Sequence, residues 1–178
     1  MTPFDDLPEL TLSLRSFGSR RGMRHGSVAL PEDQDRFFAP LLDGRRRAAQ
    51  AVSRPQVVAA FEPRRLTALV DATIRAFASA RFAKRAPARR AFEAELFELV
   101  EPLRESLQVL RALTEALPLG QGAVVPDESW NDWLTQLRVV FHVADSSWPP
   151  LRDALAAAAG AVPEPRGWRF PRGRGDRR

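Results

Sequence analysis

An all-α fold, arranged as an antiparallel helical bundle of four to six helices, is expected for this chain on three grounds. Leucine, phenylalanine and tryptophan recur at spacings of three and four over long stretches, the period of a helix with one buried face. Prolines and glycines fall between these stretches and leave short links, so successive helices should pack antiparallel. The 178 residues are 44% hydrophobic and 28% charged, which supplies one core and is too apolar for a disordered chain. The bundle is assigned to 31–162. An irregular or short β-hairpin N-terminal arm (1–30) precedes it and a flexible basic C-terminal tail (163–178) follows it.

The arm is the least helical part. Leu10, Leu12 and Leu14 alternate with Thr11, Ser13 and Arg15, the period of a half-buried strand, and 27–30 offers a second short strand. Gly18, Gly22 and Gly26 punctuate a basic loop between them. The first helix opens at Pro31, with Glu32, Asp33 and Asp35 where the helix dipole favours negative charge. Phe37, Phe38, Leu41 and Leu42 give its apolar face, while Pro40 and Asp43-Gly44 predict a break. Residues 48–52 continue toward a stop near Pro55, and 56–62 form a short helix.

Leu66, Leu69, Val70, Ile74, Phe77 and Ala78 trace the next stripe, with Asp71 and Arg75 spaced as an i,i+4 pair. Past a turn at Pro87, Phe92, Leu96, Leu99, Leu103, Leu107, Leu110, Leu113 and Leu117 trace a longer one. Pro102 lies inside it, removing a donor and crowding the Glu98 carbonyl, and predicts a kink or break. A loop over 118–129 leads to a helix capped by Asp127 or Ser129 and buried through Trp130, Trp133, Leu134, Leu137, Val140, Phe141 and Ala144. Ser147 caps a separate last helix, opened by Pro149-Pro150 and closed at Gly160.

Charge is unevenly spread. The net charge is +5, and Lys84 is the single lysine among 27 cations. Arg64, Arg65, Arg75, Arg81, Lys84, Arg85, Arg89 and Arg90 face only Asp71 within their own block, and Glu93, Glu95, Glu98, Glu101 and Glu105 follow. One reading makes the basic block a nucleic-acid face. The favoured reading pairs the two blocks across a hairpin, with Arg81 beside Glu93 and Arg75 beside Glu98 or Glu101, so that their fields largely cancel. In the tail, Arg166, Arg169, Arg172, Arg174, Arg177 and Arg178 are interleaved with Trp168 and Phe170, against Glu164 and Asp176. Arginine grips phosphate bidentately and aromatic rings stack on bases, so these eight arginines and aromatics are the candidate nucleic-acid contacts. The alternatives are a solubilising extension, or Trp168 and Phe170 folding back onto the helices.

Other motifs narrow the chemistry. The chain has no cysteine, which excludes thiol nucleophiles, zinc thiolates and iron–sulfur clusters. Walker-type phosphate loops, dinucleotide fingerprints and nucleophile elbows are not found. Arg24-His25-Gly26-Ser27 resembles the Arg-His-Gly signature of the histidine phosphatase family. The resemblance covers four residues. It implies a phosphorylated His25 and a phosphate-binding Arg24, although Arg20-Arg21-Gly22-Met23 is not the buried strand that precedes the family's histidine. Arg20, Arg21 and Arg24 form a candidate anion-binding loop in any case. His142 and Asp145 stand at i,i+3 without the further glutamates of a helical metal site, so His142 is expected in the core or at its boundary. Glu98, Glu101 and Glu105 read as a solvated face. Trp130, Trp133 and Phe141 read as core, with a partner groove as the alternative.

No catalytic, cofactor-binding or metal-binding residue is assigned. The longest apolar run, 155–162, is far below the roughly 20 residues that span a bilayer, and the acidic, proline-containing N-terminus lacks the pattern of a secretory signal. A cytoplasmic, non-catalytic helical adaptor or assembly subunit with a protein partner is therefore the leading expectation. A nucleic-acid or ribonucleoprotein subunit gripping phosphates through its arginines is the alternative. An enzyme acting on a phosphorylated small molecule near His25 is the third reading.

Overall fold

The computed structural model describes residues 30–120 and 122–160, and these are helical throughout apart from short connections. The helices are α1 (Leu30–Ala48), α2 (Arg54–Ala60), α3 (Pro63–Phe82), α4 (Ala86–Ala116) and α5 (Asp127–Gly160). The expected arm hairpin and basic tail lie outside the described residues.

Four of these helices build the bundle. α4 packs against α3 on one side and α5 on the other, and α1 closes the ring by packing on α3 and α5. At 1.5 Å per residue, α1 and α3 are about 30 Å long and α4 and α5 about 45–50 Å. The seven-residue α2 makes up the difference. α1 runs antiparallel to α5, and α2 extends the match toward the start of α5. Arg81 of α3 joins Asp33 to Leu155 at one end. Phe37 stacks on Trp148 at 5.7 Å one level further along. Phe61, just after α2, meets Phe141 edge-on at 5.9 Å, and Arg54 lies over Trp130 at 5.3 Å.

The core is continuous from Phe37 and Phe38 through Leu66, Ile74, Phe77, Leu96, Leu103 and Leu107 to Trp133, Leu137, Leu151 and Leu155. Its stripes are those of the sequence, with small shifts. Leu69 is exposed, and Val100 replaces Leu99 as the fully buried residue of α4. Trp130, Trp133 and Phe141 are all buried. The Trp133 Nε1–H donates to the Thr114 hydroxyl at 2.9 Å, which pins α5 to α4.

The predicted breaks are absent. α1 continues through Pro40, α4 through Pro102, and α5 through Pro149 and Pro150, so the expected last helix is the second half of α5. Ser147 caps nothing. Its hydroxyl donates to the Val143 carbonyl one turn back, and Ser146 does the same to His142. A proline inside a helix costs about 3 kcal/mol, whereas one buried leucine contributes roughly 1.5–3. Each proline is flanked by buried residues on both sides: Phe38 and Leu41, Val100 and Leu103, Trp148 and Leu151. Pro102, Pro149 and Pro150 also sit on exposed faces, where water can solvate the carbonyls they leave unbonded. Packing of the stripe therefore outweighs the local penalty. In the other direction, the first helix ends at Ala48 rather than continuing toward Pro55.

One close approach sets the corner between α1 and α3. A Cβ on Gly44 would lie 2.5 Å from Cδ1 of Phe61. Glycine here lets α1 touch the ring that closes the α2–α3 turn.

Candidate functional site

Antiparallel order brings the start of α1, the α3–α4 turn and the end of α5 to one end of the bundle. It is the end from which the chain leads back into the arm and on into the tail. Charge is arranged there in two tiers.

The inner tier is a single buried ion pair. Asp33 and Arg81 meet at 2.6 Å, with side chains 11% and 8% exposed. The Arg81 Nε–H also donates to the Leu155 carbonyl at 3.0 Å. One guanidinium thus ties α3 to α1 and α5 at once. Both residues continue the buried stripes of their helices: Asp33 is one turn before Phe37, and Arg81 follows Phe77 and Ala78. Arg81 therefore points inward and does not pair with Glu93, contrary to the sequence expectation. Arg75 takes Glu93 instead, at 3.7 Å. Asp71 pairs across to Arg104 at 3.2 Å rather than along its own helix to Arg75. The hydrogen bond from Arg104 to Glu101, and the nearby charge of Asp71, raise the Arg104 pKa further despite its partial burial.

The outer tier is Lys84, Arg85, Arg89 and Arg90. Lys84, Arg85 and Arg90 are exposed and Arg89 is half-buried. None of the four has an acidic partner among the described residues. They are gathered at the start of a helix. Arg85 is the N-cap of α4, its side chain makes no capping hydrogen bond, and the first turn of α4 holds no acidic residue. The first turns of α1 and α5, by contrast, carry Glu32 and Asp33, and Asp127 and Glu128. A helix N-terminus already presents unbonded N–H groups and partial positive charge, so cations there are unfavourable and anions are favoured.

The opposite end treats arginine differently. Arg54 reaches the Val125 carbonyl at 2.8 Å and Asp127 at 2.6 Å. Arg64 and Arg111 converge on Glu115 at 3.0 and 2.8 Å. Their hydrogen bonds, Arg111 first, hold the Glu115 carboxyl below its ordinary pKa. The basic block of 64–90 is thus split. Arg64, Arg75 and Arg81 are paired, but only Arg75 with the acidic block that follows, through Glu93. Arg65 and the run from Lys84 to Arg90 are left without acidic partners among the described residues.

The sequence-predicted sites fare unevenly. Arg20, Arg21, Arg24 and His25 lie outside the described residues, as do Arg166, Trp168, Arg169, Phe170, Arg172, Arg174, Arg177 and Arg178. His142 is exposed rather than in the core or at its boundary. Among the described residues no group of acids and histidines is placed to hold a metal ion, and no helix is long and apolar enough to cross a membrane. Comparison of the chain with protein-family models, curated proteins and solved structures yields no match.

Proposed function

We propose that the chain is a non-catalytic assembly subunit that holds a nucleic-acid backbone at the basic end of its helical bundle. The observation that carries this reading is the α4 N-terminus, where Arg85, Arg89 and Arg90 crowd an uncapped helix start with no acid in its first turn. Phosphates laid on that start would meet guanidinium forks and free backbone N–H groups together. Two further basic segments adjoin the same end in sequence. The arm carries Arg20, Arg21 and Arg24, and the tail carries Arg166, Arg169, Arg172, Arg174, Arg177 and Arg178. Trp168 and Phe170 would add stacking surfaces for unpaired bases. Contacts of this kind give affinity that falls with salt and little base specificity.

A second surface supports an adaptor role toward a protein. Val52 and Val124 are 81% and 84% exposed at the opposite end, in neighbouring connections bridged by Arg54. A rigid body with apolar residues exposed at one end and basic ones at the other suits a subunit that joins a nucleic acid to a protein partner.

The test is fluorescence anisotropy with a labelled single-stranded RNA at low salt. The full chain is expected to bind, and replacing Lys84, Arg85, Arg89 and Arg90 with glutamine is expected to weaken binding by about tenfold or more. Deleting 163–178 should weaken it further. No binding by the full chain at low salt would end this reading.

A further inference from the structure

At the end away from the arm and tail, a cleft of about 340 Å3 opens between the last turns of α1 and the first turn of α3, lined by Asp43, Arg46, Arg47, Gln50 and Arg65. We propose that this cleft is a binding site for a compact dianion of the phosphate-monoester class, separate from the basic end and independent of its function.

Its arginines are unequal, and the inequality is informative. Arg46 is engaged by the Asp43 carboxylate. Arg47 is fixed by two carbonyls, donating to Ala60 at 3.0 Å and to Asp43 at 3.4 Å. Its guanidinium is therefore held between α1 and the end of α2, with no carboxylate neutralising it. Helix electrostatics accounts for these two, since cations are favoured at a helix C-terminus. The same argument counts against Arg65. It lies in the first turn of α3, where a cation is unfavourable, and its side chain has no acidic partner among the described residues. Its neighbour Arg64 is matched by Glu115. Glu62 serves as the N-cap, its carboxylate accepting from the backbone N–H groups of Arg64 and Arg65 at 3.1 and 2.6 Å.

Three guanidiniums against one carboxylate leave the cleft with two positive charges in excess, which a dianion matches. The Gln50 amide adds a neutral donor. The walls are set by the core beneath them. Gly44 of α1 lies against the Phe61 ring just ahead of α3, a core contact that fixes how closely these elements approach. A phosphate monoester presents its charged oxygens end-on to such a corner, and planar guanidinium forks suit them. A diester carries one charge and has to pass chain on both sides.

The experiment is a titration of the isotopically labelled full chain with inorganic phosphate, β-glycerophosphate and dimethyl phosphate at constant ionic strength, followed by amide chemical shifts. Saturating shifts at Arg46, Arg47, Gln50 and Arg65 are expected with the first two probes, and much weaker ones with dimethyl phosphate. Arg65→Gln removes one charged donor and should weaken binding by about tenfold. Arg65 is exposed, so the variant should keep the parent's helicity and melting temperature. Asp43→Asn removes the opposing charge and should tighten binding, and Arg89→Gln should change nothing. Shifts confined to the start of α4, equal binding of the diester, undiminished affinity in Arg65→Gln, or no saturation with inorganic phosphate would each overturn the proposal.

Discussion

The two ends of this bundle use the same residue for opposite purposes. At the end formed by α2 and the α4–α5 connection, Arg54, Arg64 and Arg111 each meet a carboxylate or carbonyl and hold neighbouring elements in place. At the end nearest the arm and tail Arg81 does so, buried with Asp33. Lys84, Arg85, Arg89 and Arg90 surround it without acidic partners among the described residues. Arginine content alone says nothing about function; Arg54, Arg64 and Arg111 have been supplied with acids, whereas Lys84, Arg85, Arg89 and Arg90, like Arg65 in the cleft at the far end, have none among the described residues.

The sharpest way to break this contrast is to remove the one structural pair at the basic end. Arg81→Met leaves the Asp33 carboxylate buried and uncompensated, and should lower unfolding free energy by about 3 kcal/mol in urea denaturation. Combining it with Asp33→Leu should restore most of the loss, because a well-packed apolar pair can replace a buried ion pair. A double variant as unstable as the single one would show that the pair does more than neutralise itself.

Next in size is the corner at the other end. Gly44→Ala places a methyl group against Phe61, and overpacking of this kind should cost roughly 2 kcal/mol. Phe61→Leu in the same background should recover part of it, as read from melting temperatures. Thr114→Val strands the buried Trp133 indole N–H and should cost about 1–2 kcal/mol by denaturant titration.

Two smaller effects sharpen the comparison. Arg89→Glu places an acid in the first turn of α4, where the dipole favours it, and should raise stability by about 0.3–1 kcal/mol while weakening RNA binding. Glu115 reports on pH. Its carboxyl is held below the ordinary value by Arg111 and Arg64, so its contribution is present above the unfolded-state pKa and is lost as pH falls through the folded one. The stability gap between the parent and Glu115→Gln should therefore exist at neutral pH and close on acidification. High salt should narrow it as well, because Glu115 and both arginines are exposed.

Much of the architecture was legible in the chain. The stripes over 66–78 and 92–117, and that from Trp130 to Ala144, mark the buried faces of α3, α4 and α5, with Leu69 exposed and Leu99 and Leu113 only partly buried. The punctuation was less legible. Pro40, Pro102, Pro149 and Pro150 looked like breaks because local rules weigh a missing donor without the buried leucines and aromatics flanking it. Ser147 looked like a cap for the same reason. The Asp33–Arg81 pair had a signal that went unread: each charged residue occupies the next position of a helical stripe, one turn from Phe37 and one from Phe77 and Ala78. Read together, two opposite charges on two buried stripes imply a buried pair. The split of the basic block was not legible, because which arginine finds an acid depends on helix rotation, and sequence separation does not encode that.

Counting the phosphate contacts made by Lys84, Arg85, Arg89 and Arg90 tests the contrast most directly. The slope of log affinity against log salt for a single-stranded RNA should be shallower by about 2 to 3 when all four are glutamine, at roughly 0.7 per lost contact. A slope equal to that of the parent protein would show that these cations touch no phosphate and would contradict the account.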